Sequence, residues 1–368
     1  MAIHQLVEYR AVVLVCFACP VSVLVWLLNT ARNSYAEATA RPEDHGRRVE
    51  QVSAEVRAWA ASPAEARRPM CTARASWQNL STRFVNKDVL HKIELSHLRD
   101  VLSVDAVPGE KGTVLVEPNV TVGLICRKLA PTHMLAVCLE LEDATLGGLA
   151  MGVGMTTASH IYGLYQETIV SMKVVVGDGS VIHATRTNEH ASLFKCLPWS
   201  HGSLGFLVEL ELMVVPTQPF VKLTYTPTAS QAECCELVRS LSNAEDPPDF
   251  VEATVFDREN AVVMSGVFED ADTAEKRALI NPISRWYKPW WYTYVQDVGE
   301  AGEEVVEFVP LHHYILRHNR AIFWTLQDMI PPWFGNHPVF RMIFGWMIPP
   351  AISLVSKNEE FCIKNEES

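Results

Sequence analysis

The sequence predicts an α+β protein of two folded units behind one N-terminal transmembrane helix. Three observations point there. The chain has 368 residues and is 48% apolar, enough for a substantial core and more than one small domain needs. A charge-free apolar run, AVVLVCFACPVSVLVWLLNT, occupies Ala11 to Thr30. Before Pro219 the body is dominated by short β-type runs, and after it strands mix with a helix and then with many aromatics.

The apolar run stays uncharged as far as Arg32. At ~1.5 Å per residue it can span a hydrocarbon core about 30 Å thick, and Pro20 only kinks it. A cleaved secretory signal is the competing reading, with Arg10 before the run and Ala38-Thr39-Ala40 as a cleavage site. Length and the Trp26 anchor favour retention. Arg32, Arg41, Arg47 and Arg48 follow the segment while only Arg10 precedes it, which places the body in the cytosol. Two sequons, Asn79-Leu80-Ser81 and Asn119-Val120-Thr121, offer a check, since a lumenal body would use them. Thiol usage agrees with the cytosol: the 9 Cys are odd in number with no repeated spacing, so a disulfide scaffold is not expected. Cys16 and Cys19 lie inside the apolar run, where a zinc or redox pair would lack polar support.

In the body, Val49, Val52, Val56 and Trp59 recur at helical spacing and predict an amphipathic helix ending near Pro63. Val101 to Asp105 and Gly112 to Pro118 read as two strands around the turn Pro108-Gly109-Glu110. A short helix follows between Val120 and Leu129, stopped by Pro131. Ser171 to Val176 and Ser180 to His183 flank Gly177-Asp178-Gly179, a hairpin signal, and Leu207 to Pro216 is a further strand. In the second unit Lys222 to Thr226, Val251 to Phe256 and Ala261 to Phe268 read as strands, and Gln231 to Ser242 as a helix. Six of the 10 Trp fall between Trp286 and Trp346. Lys288-Pro289-Trp290-Trp291-Tyr292 and Ile330-Pro331-Pro332-Trp333-Phe334 fit either a core or interfacial rings around an apolar entrance.

Charge narrows the function. Lys plus Arg total 31 against 43 for Asp plus Glu, and a net charge of -12 argues against nucleic acid as a partner. The most informative stretch runs from Glu140 to Thr157 and holds four Gly in eight positions, so backbone N–H groups can approach an anion such as a pyrophosphate. It is neither a Walker A loop nor a Rossmann fingerprint, and a packed Gly-rich loop is the bland alternative. Ser159 to Leu164 adds small and ring groups suited to a flat cofactor, and Trp199 to Phe206 forms a second Gly-rich turn. Ser200, His201 and Ser203 are adjacent, but no G-x-S-x-G elbow exists and triads converge from distant segments, so a hydrolase is disfavoured. His312, His313 and His318 with Arg317 and Arg320 fit no zinc spacing. They read as a solvated helix face, or more sharply as a site for a dinucleotide phosphate or anionic lipid.

The segments ELEDATLGGLAMGVG, SHIYGLYQ, LPWSHGSLGFLVELE, YKPWW and IFWTLQDMIP…FRMIFGWMIPP, in this order, resemble the Δ24-sterol reductase family. Its members are membrane-anchored flavoproteins with a vanillyl-alcohol-oxidase-like, FAD-binding PCMH-type domain. The likeness runs from the anchor to about Pro350. It implies a two-subdomain FAD-binding PCMH-type fold with a partial α+β cap domain: residues 1–40 anchor and linker, 41–217 FAD-binding domain, 218–350 partial substrate cap, and 351–368 a polar divergent tail. It further implies FAD across Thr145, Leu146, Gly147, Gly148, Leu149, Ala150, Met151, Gly152, Val153, Gly154, Met155, Thr156 and Thr157, with Gly202, Ser203 and Gly205 supporting the flavin from a neighbouring turn.

The same resemblance implies NADPH-linked reduction of the side-chain C24=C25 bond of sterols, at the endoplasmic reticulum membrane or the Golgi, with homo-oligomers left open. Many relatives attach FAD through a His in an early Gly-Gly-His loop. Met70 to Trp77 at the equivalent place has neither, so FAD is expected to be noncovalent. The family chain also continues past the point where this one ends in a polar tail, which sets a truncated, inactive membrane protein beside the reductase as the alternative. A flavin oxidase releasing peroxide is a third reading. An isolated trisubstituted C=C has no carbonyl to store charge, so a buried acid must supply a proton. His160, Tyr162 and Glu167 are the candidates, with Glu142 and Asp143 behind them.

Overall fold

The computed structural model describes a few positions between 24 and 35 and residues 37–74, 86–285, 287–320 and 337–344. The expected membrane span and the polar tail fall almost wholly outside these. Among the described residues no helix is long and apolar enough to cross a membrane.

The amphipathic spacing near the N-terminus forms helix α1, His45–Ala61, which stops before Ser62 turns extended ahead of Pro63. Its Val49, Val52 and Val56 are buried against Ile93, Leu98, Val175, Phe206 and Val208, and each fully buried valine stabilises the fold by about 1.5–3 kcal/mol. Charge fixes the same helix. Arg48 donates to Glu117 at 2.9 Å and to Asp100 at 3.0 Å, while His45 Nδ1 lies 2.7 Å from Glu117. His45 Nε2 sits 2.8 Å from Glu209, close enough for an ion pair without the alignment of a hydrogen bond.

Beyond α1, Met70–Thr72 (β1) pairs in parallel with His91–Ile93 (β2). A six-stranded antiparallel sheet follows, built from Val101–Asp105 (β3), Gly112–Val116 (β4), His133–Leu135 (β5), Ile169–Val175 (β6), Val181–Thr185 (β7) and Phe206–Pro216 (β8). Its order is β3-β4-β8-β6-β7, with β5 also on β8, so the longest strand is the central one. The expected turn and hairpin appear as β3–β4 and β6–β7. Helix α2, Val122–Leu129, is capped by Thr121, whose hydroxyl accepts from Leu124 N at 3.2 Å. Short helices α3 (Leu146–Met151), α4 (Ser159–Tyr162) and α5 (Ala191–Cys196) fill the connections.

A second, four-stranded antiparallel sheet begins at Phe220. It comprises Phe220–Thr228 (β9), Phe250–Val255 (β10), Ala261–Glu269 (β11) and Val305–Pro310 (β12), in the order β10-β11-β9-β12. Helix α6, Gln231–Ser242, spans the residues that its sequence pattern predicts and is capped by Ser230. Then come α7 (Ala274–Ala278), α8 (Trp291–Ala301), α9 (Leu311–Ile315) and α10 (Pro338–Phe344). α8 buries Trp291, Val295 and Val298 against the face of β9 and β11 that carries Leu223, Tyr225, Val262 and Met264. α6 covers the other face, where Cys234 meets Ala261 and Val263. One hydrophobic cluster runs through both sheets.

One of the open sequence readings is settled by burial. Trp290, Trp291 and Tyr292 are only 2–4% exposed, so this aromatic run is core and not an interfacial ring. The Ile330–Phe334 run lies outside the described residues. Of the sequons, Asn79 is also outside, and Asn119 is half-buried with its amide nitrogen donating to Leu95 O at 2.6 Å. The described cysteines are free thiols, with Cys126 and Cys138 Sγ atoms 3.5 Å apart.

Candidate functional site

The Gly-rich stretch is partly helical, which its glycines disguise. Leu146 to Met151 form α3, and its first two N–H groups are taken by Val120 O and Pro118 O at 2.9 Å each. An anion cradle at that helix start, as glycine content alone predicts, is therefore not what the backbone offers. Close packing explains two of the glycines. A Cβ at Gly147 would run into Pro118, and one at Gly154 would come within 2.6 Å of Tyr165 Cβ. The open donors lie further on: among the described residues the N–H groups of Val153, Gly154 and Met155 carry no hydrogen bond, and Val153 and Met155 are two-thirds exposed.

The stretch is braced by the motif that follows it. Tyr165, fully buried, donates its hydroxyl to Leu146 O at 3.2 Å, and Tyr165 N donates to Gly154 O at 2.9 Å. Buried Gln166 donates to Leu149 O at 2.7 Å and Gly152 O at 2.8 Å, tying down the end of α3. The second Gly-rich turn reaches the same place, because His201 N donates to Met151 O at 3.0 Å. Trp199 and His201 adopt φ of 59° and 50°, left-handed values that non-glycine residues avoid, beside Gly202 and Gly205 at 75° and 158°. Gly202, Ser203 and Leu204 of this turn are exposed, as is Trp199. Two turns from distant parts of the chain thus meet at Met151 and present open backbone donors with apolar side chains.

A cation stands at the head of the stretch. Arg74, just after β1, donates to Thr145 Oγ1 at 3.0 Å, and among the described residues it has no carboxylate partner. Burial pushes its pKa down, although a guanidinium stays charged. Lys87 donates to Thr72 O and Arg74 O, which fixes the loop that carries Arg74. Sequence reasoning passed over Arg74, and its one available signal was the place of an early cofactor loop.

The three candidate acids sit on or beside α4. His160 Nε2 lies 2.7 Å from Pro248 O, and Asp249 is near enough to feel its charge. Tyr162 is half-buried under Lys111, whose Nζ lies 5.4 Å from the ring centroid. Burial raises the Tyr162 phenol, and the charge of Asp249 adds to this. Glu167 is exposed and its carboxylate accepts from Leu164 N at 2.7 Å, closing the turn. A buried carboxylate that the sequence did not single out lies in the second sheet, at its β12 edge. Glu307, on β12, accepts from Tyr225 at 2.5 Å, Tyr294 at 2.9 Å and Asn281 at 2.8 Å, and burial raises its pKa despite these donors. Asn281 and Tyr294 line a cavity of about 190 Å³ with Ile283, Lys288, Pro289 and Trp291.

Arg317, at the centre of the basic His cluster, is not on a solvated face, although His312 is exposed. Arg317 is 1% exposed and bound to Glu252 and Glu140, and His318 Nε2 lies 3.6 Å from Glu252. A phosphate has no access to Arg317. His313 is half-buried, and its ring lies 3.3 Å from Ser284 N.

A family model for an FAD binding domain matches residues 47–185, from within α1 to the end of β7. Delta(24)-sterol reductase from Homo sapiens is 37% identical over 353 residues, which are 95% of this chain and 66% of that protein. A Delta(24)-sterol reductase homolog from Caenorhabditis elegans is 35% identical, covering 95% of this chain and 67% of its own length. Delta(24)-sterol reductase from Pisum sativum is 32% identical over 99% of this chain and 65% of its own. The chain thus spans about two thirds of the length of the curated relatives it matches. With its FAD-binding domain, its braced Gly-rich stretch and likeness along nearly its whole length, the chain belongs to the Delta(24)-sterol reductase family.

Proposed function

We propose that this chain is a noncovalent FAD enzyme that uses NADPH to reduce the side-chain C24=C25 double bond of sterols. The observation that carries the cofactor reading is the run of N–H groups at Val153, Gly154 and Met155 that carry no hydrogen bond among the described residues, in one braced segment with the desolvated Arg74, which sits on Thr145 and has no carboxylate partner among the described residues. A dinucleotide needs backbone donors and a cation for its pyrophosphate and an apolar surface for its flat ring. The residues present fit that need, with Trp199, Leu204, Val153 and Met155 as the exposed apolar surface. FAD, when bound, supplies the hydride chemistry. Thr145 to Thr157 would hold it, with Gly202, Ser203 and Gly205 behind.

The protein's own part is orientation and a proton. The α4 region supplies the proton in this reading. His160 is the best placed of its groups, its ring held by Pro248 O. Tyr162 shapes the same wall, and Glu167 sets the turn that presents them. The charge-free run from Ala11 to Thr30, with arginines after it, supports a single-pass anchor in the endoplasmic reticulum membrane and a cytosolic body.

The test is a visible spectrum of the detergent-purified chain with added FAD, then anaerobic NADPH, then turnover of a Δ24 sterol. A stoichiometric flavin band that NADPH bleaches, followed by loss of the C24=C25 bond, is the expected result. A folded chain that retains no flavin overturns the proposal. Bleaching without sterol reduction, with peroxide released in air, replaces it with a flavin oxidase.

A further inference from the structure

We propose that Arg317 is a positioning residue that fixes the head of the Gly-rich stretch 140–157 directly and its tail through Tyr314, and so sets how tightly that stretch holds FAD. This rests on the cofactor reading above.

Arg317 follows α9 and is 1% exposed. Its Nη2 donates to Glu252 of β10 at 2.8 Å and to Glu140 at 3.4 Å, Nε donates to Glu252 at 3.1 Å, and Nη1 donates to Tyr314 O at 2.9 Å. The guanidinium also stacks on Tyr314, with Cζ 4.4 Å from the ring centroid. Glu140 is the head of the stretch. Its tail, Thr157, is held by the same two elements: Tyr314 donates to Thr157 Oγ1 at 3.4 Å, and Val251 N, next to Glu252, donates to Thr157 O at 2.8 Å. Head and tail are therefore pinned to one rigid corner of the second unit.

A buried ion pair is a poor source of stability, because desolvation offsets much of the attraction. It is a good source of fixed geometry, because a planar guanidinium shared by two carboxylates allows few arrangements. Other groups facing this corner are His318, 3.6 Å from Glu252, and the neutral thiol of Cys138. Without the guanidinium, Glu140 and Glu252 become two buried like charges on opposite sides of the corner, which drives the head of the stretch away from β10. In the parent, burial pushes Glu252 up but Arg317 and His318 outweigh it and hold it at about 2. Glu252 is then ionised throughout the neutral range.

That contrast separates positioning from bulk structure. FAD affinity is measured by flavin fluorescence on the full chain in detergent, from pH 5.5 to 8, for the parent, Arg317→Met, Arg317→Lys and Glu140→Gln. Arg317→Met should bind FAD about 10- to 100-fold more weakly at pH 8. It should regain most of that loss by pH 5.5, where a carboxylate takes up a proton. The recovery should persist when His318→Gln is added. Arg317→Lys should restore affinity to within about tenfold of the parent. Glu140→Gln keeps the Arg317–Glu252 pair and decides the matter if Arg317→Met does not fold; it should weaken binding about 3- to 10-fold at every pH.

A parent-like affinity in both Arg317→Met and Glu140→Gln, or a loss that pH does not change, overturns the positioning role. So does a recovery that disappears with His318→Gln. A parent that binds no FAD overturns the cofactor reading as well, and that outcome is seen before any variant is compared.

Discussion

Replacing Arg74 with Met should weaken FAD binding while leaving the apo fold as stable as before, or slightly more so. In the structure the guanidinium is largely buried, its polar contact is the Thr145 hydroxyl at 3.0 Å, and no described carboxylate balances it. Methionine keeps the apolar stem in place and removes a desolvated charge. Against the loss of one neutral-acceptor bond of about 1–3 kcal/mol stands relief of a comparable desolvation cost, so the net change in apo stability should be within about 1 kcal/mol. For a domain of this size that is a shift in Tm of about 2–4 °C at most. A hydrogen bond from a cation to phosphate is worth about 1.5–3 kcal/mol, so Kd for FAD should rise about 10- to 100-fold. Flavin fluorescence titration gives the second number, and a thermal melt of the flavin-free chain gives the first. A Tm that drops by ten degrees with FAD affinity unchanged would refute the reasoning, since Arg74 would then be a structural residue.

Two further outcomes follow from contacts elsewhere. His45→Gln should destabilise the chain by about 1–2 kcal/mol near pH 6 and by much less near pH 9. The reason is that burial opposes its charge but the nearby carboxylates of Glu117 and Glu209 outweigh it, raising its pKa above the 6.5 of a free His. Stability from a raised pKa is complete below the unfolded value and fades as pH climbs through the folded one; urea melts at the two pH values check the sign. Gly154→Ala should cost about 1–3 kcal/mol and also reduce flavin retention, because its Cβ would lie 2.6 Å from Tyr165 Cβ and push the open donors aside. Equal stability and flavin content in this variant would show that the stretch yields without consequence.

Most of the fold was legible because its signals are local. Alternation and an Asp-Gly turn mark β6–β7, and a helical pattern marks α6 over Gln231–Ser242. α1 showed its buried stripe through Val49, Val52 and Val56. The site was legible only in part. Glycine spacing located the stretch but could not tell a loop from the turn of helix in α3, where Gly147 is required by Pro118 and not by an anion. Arg317 looked like a member of a solvated basic cluster because its partners, Glu140 and Glu252, are far away in sequence. Trp290 and Trp291 gave no sign of direction, since an aromatic run has the same composition in a core as at a membrane. Arg74 lacked a charged neighbour to reveal it. What sequence hides in each case is a contact made by distant segments.

The dependence of the Gly-rich stretch on Arg317 also constrains how the chain is made. The six-stranded sheet is complete in sequence once β8 has emerged at Pro216, yet Val251, which holds Thr157, emerges later, and Arg317, which holds Glu140, later still. At ordinary elongation rates that interval is on the order of 5–20 s. During it the nascent first unit carries a stretch braced by Tyr165 and Gln166 but with its head not yet pinned, and exposes the apolar surface that the second sheet later covers. A ribosome paused between β8 and α9 should therefore hold a chain that is folded in its sheet, susceptible to protease near residues 140–157, and in need of a chaperone.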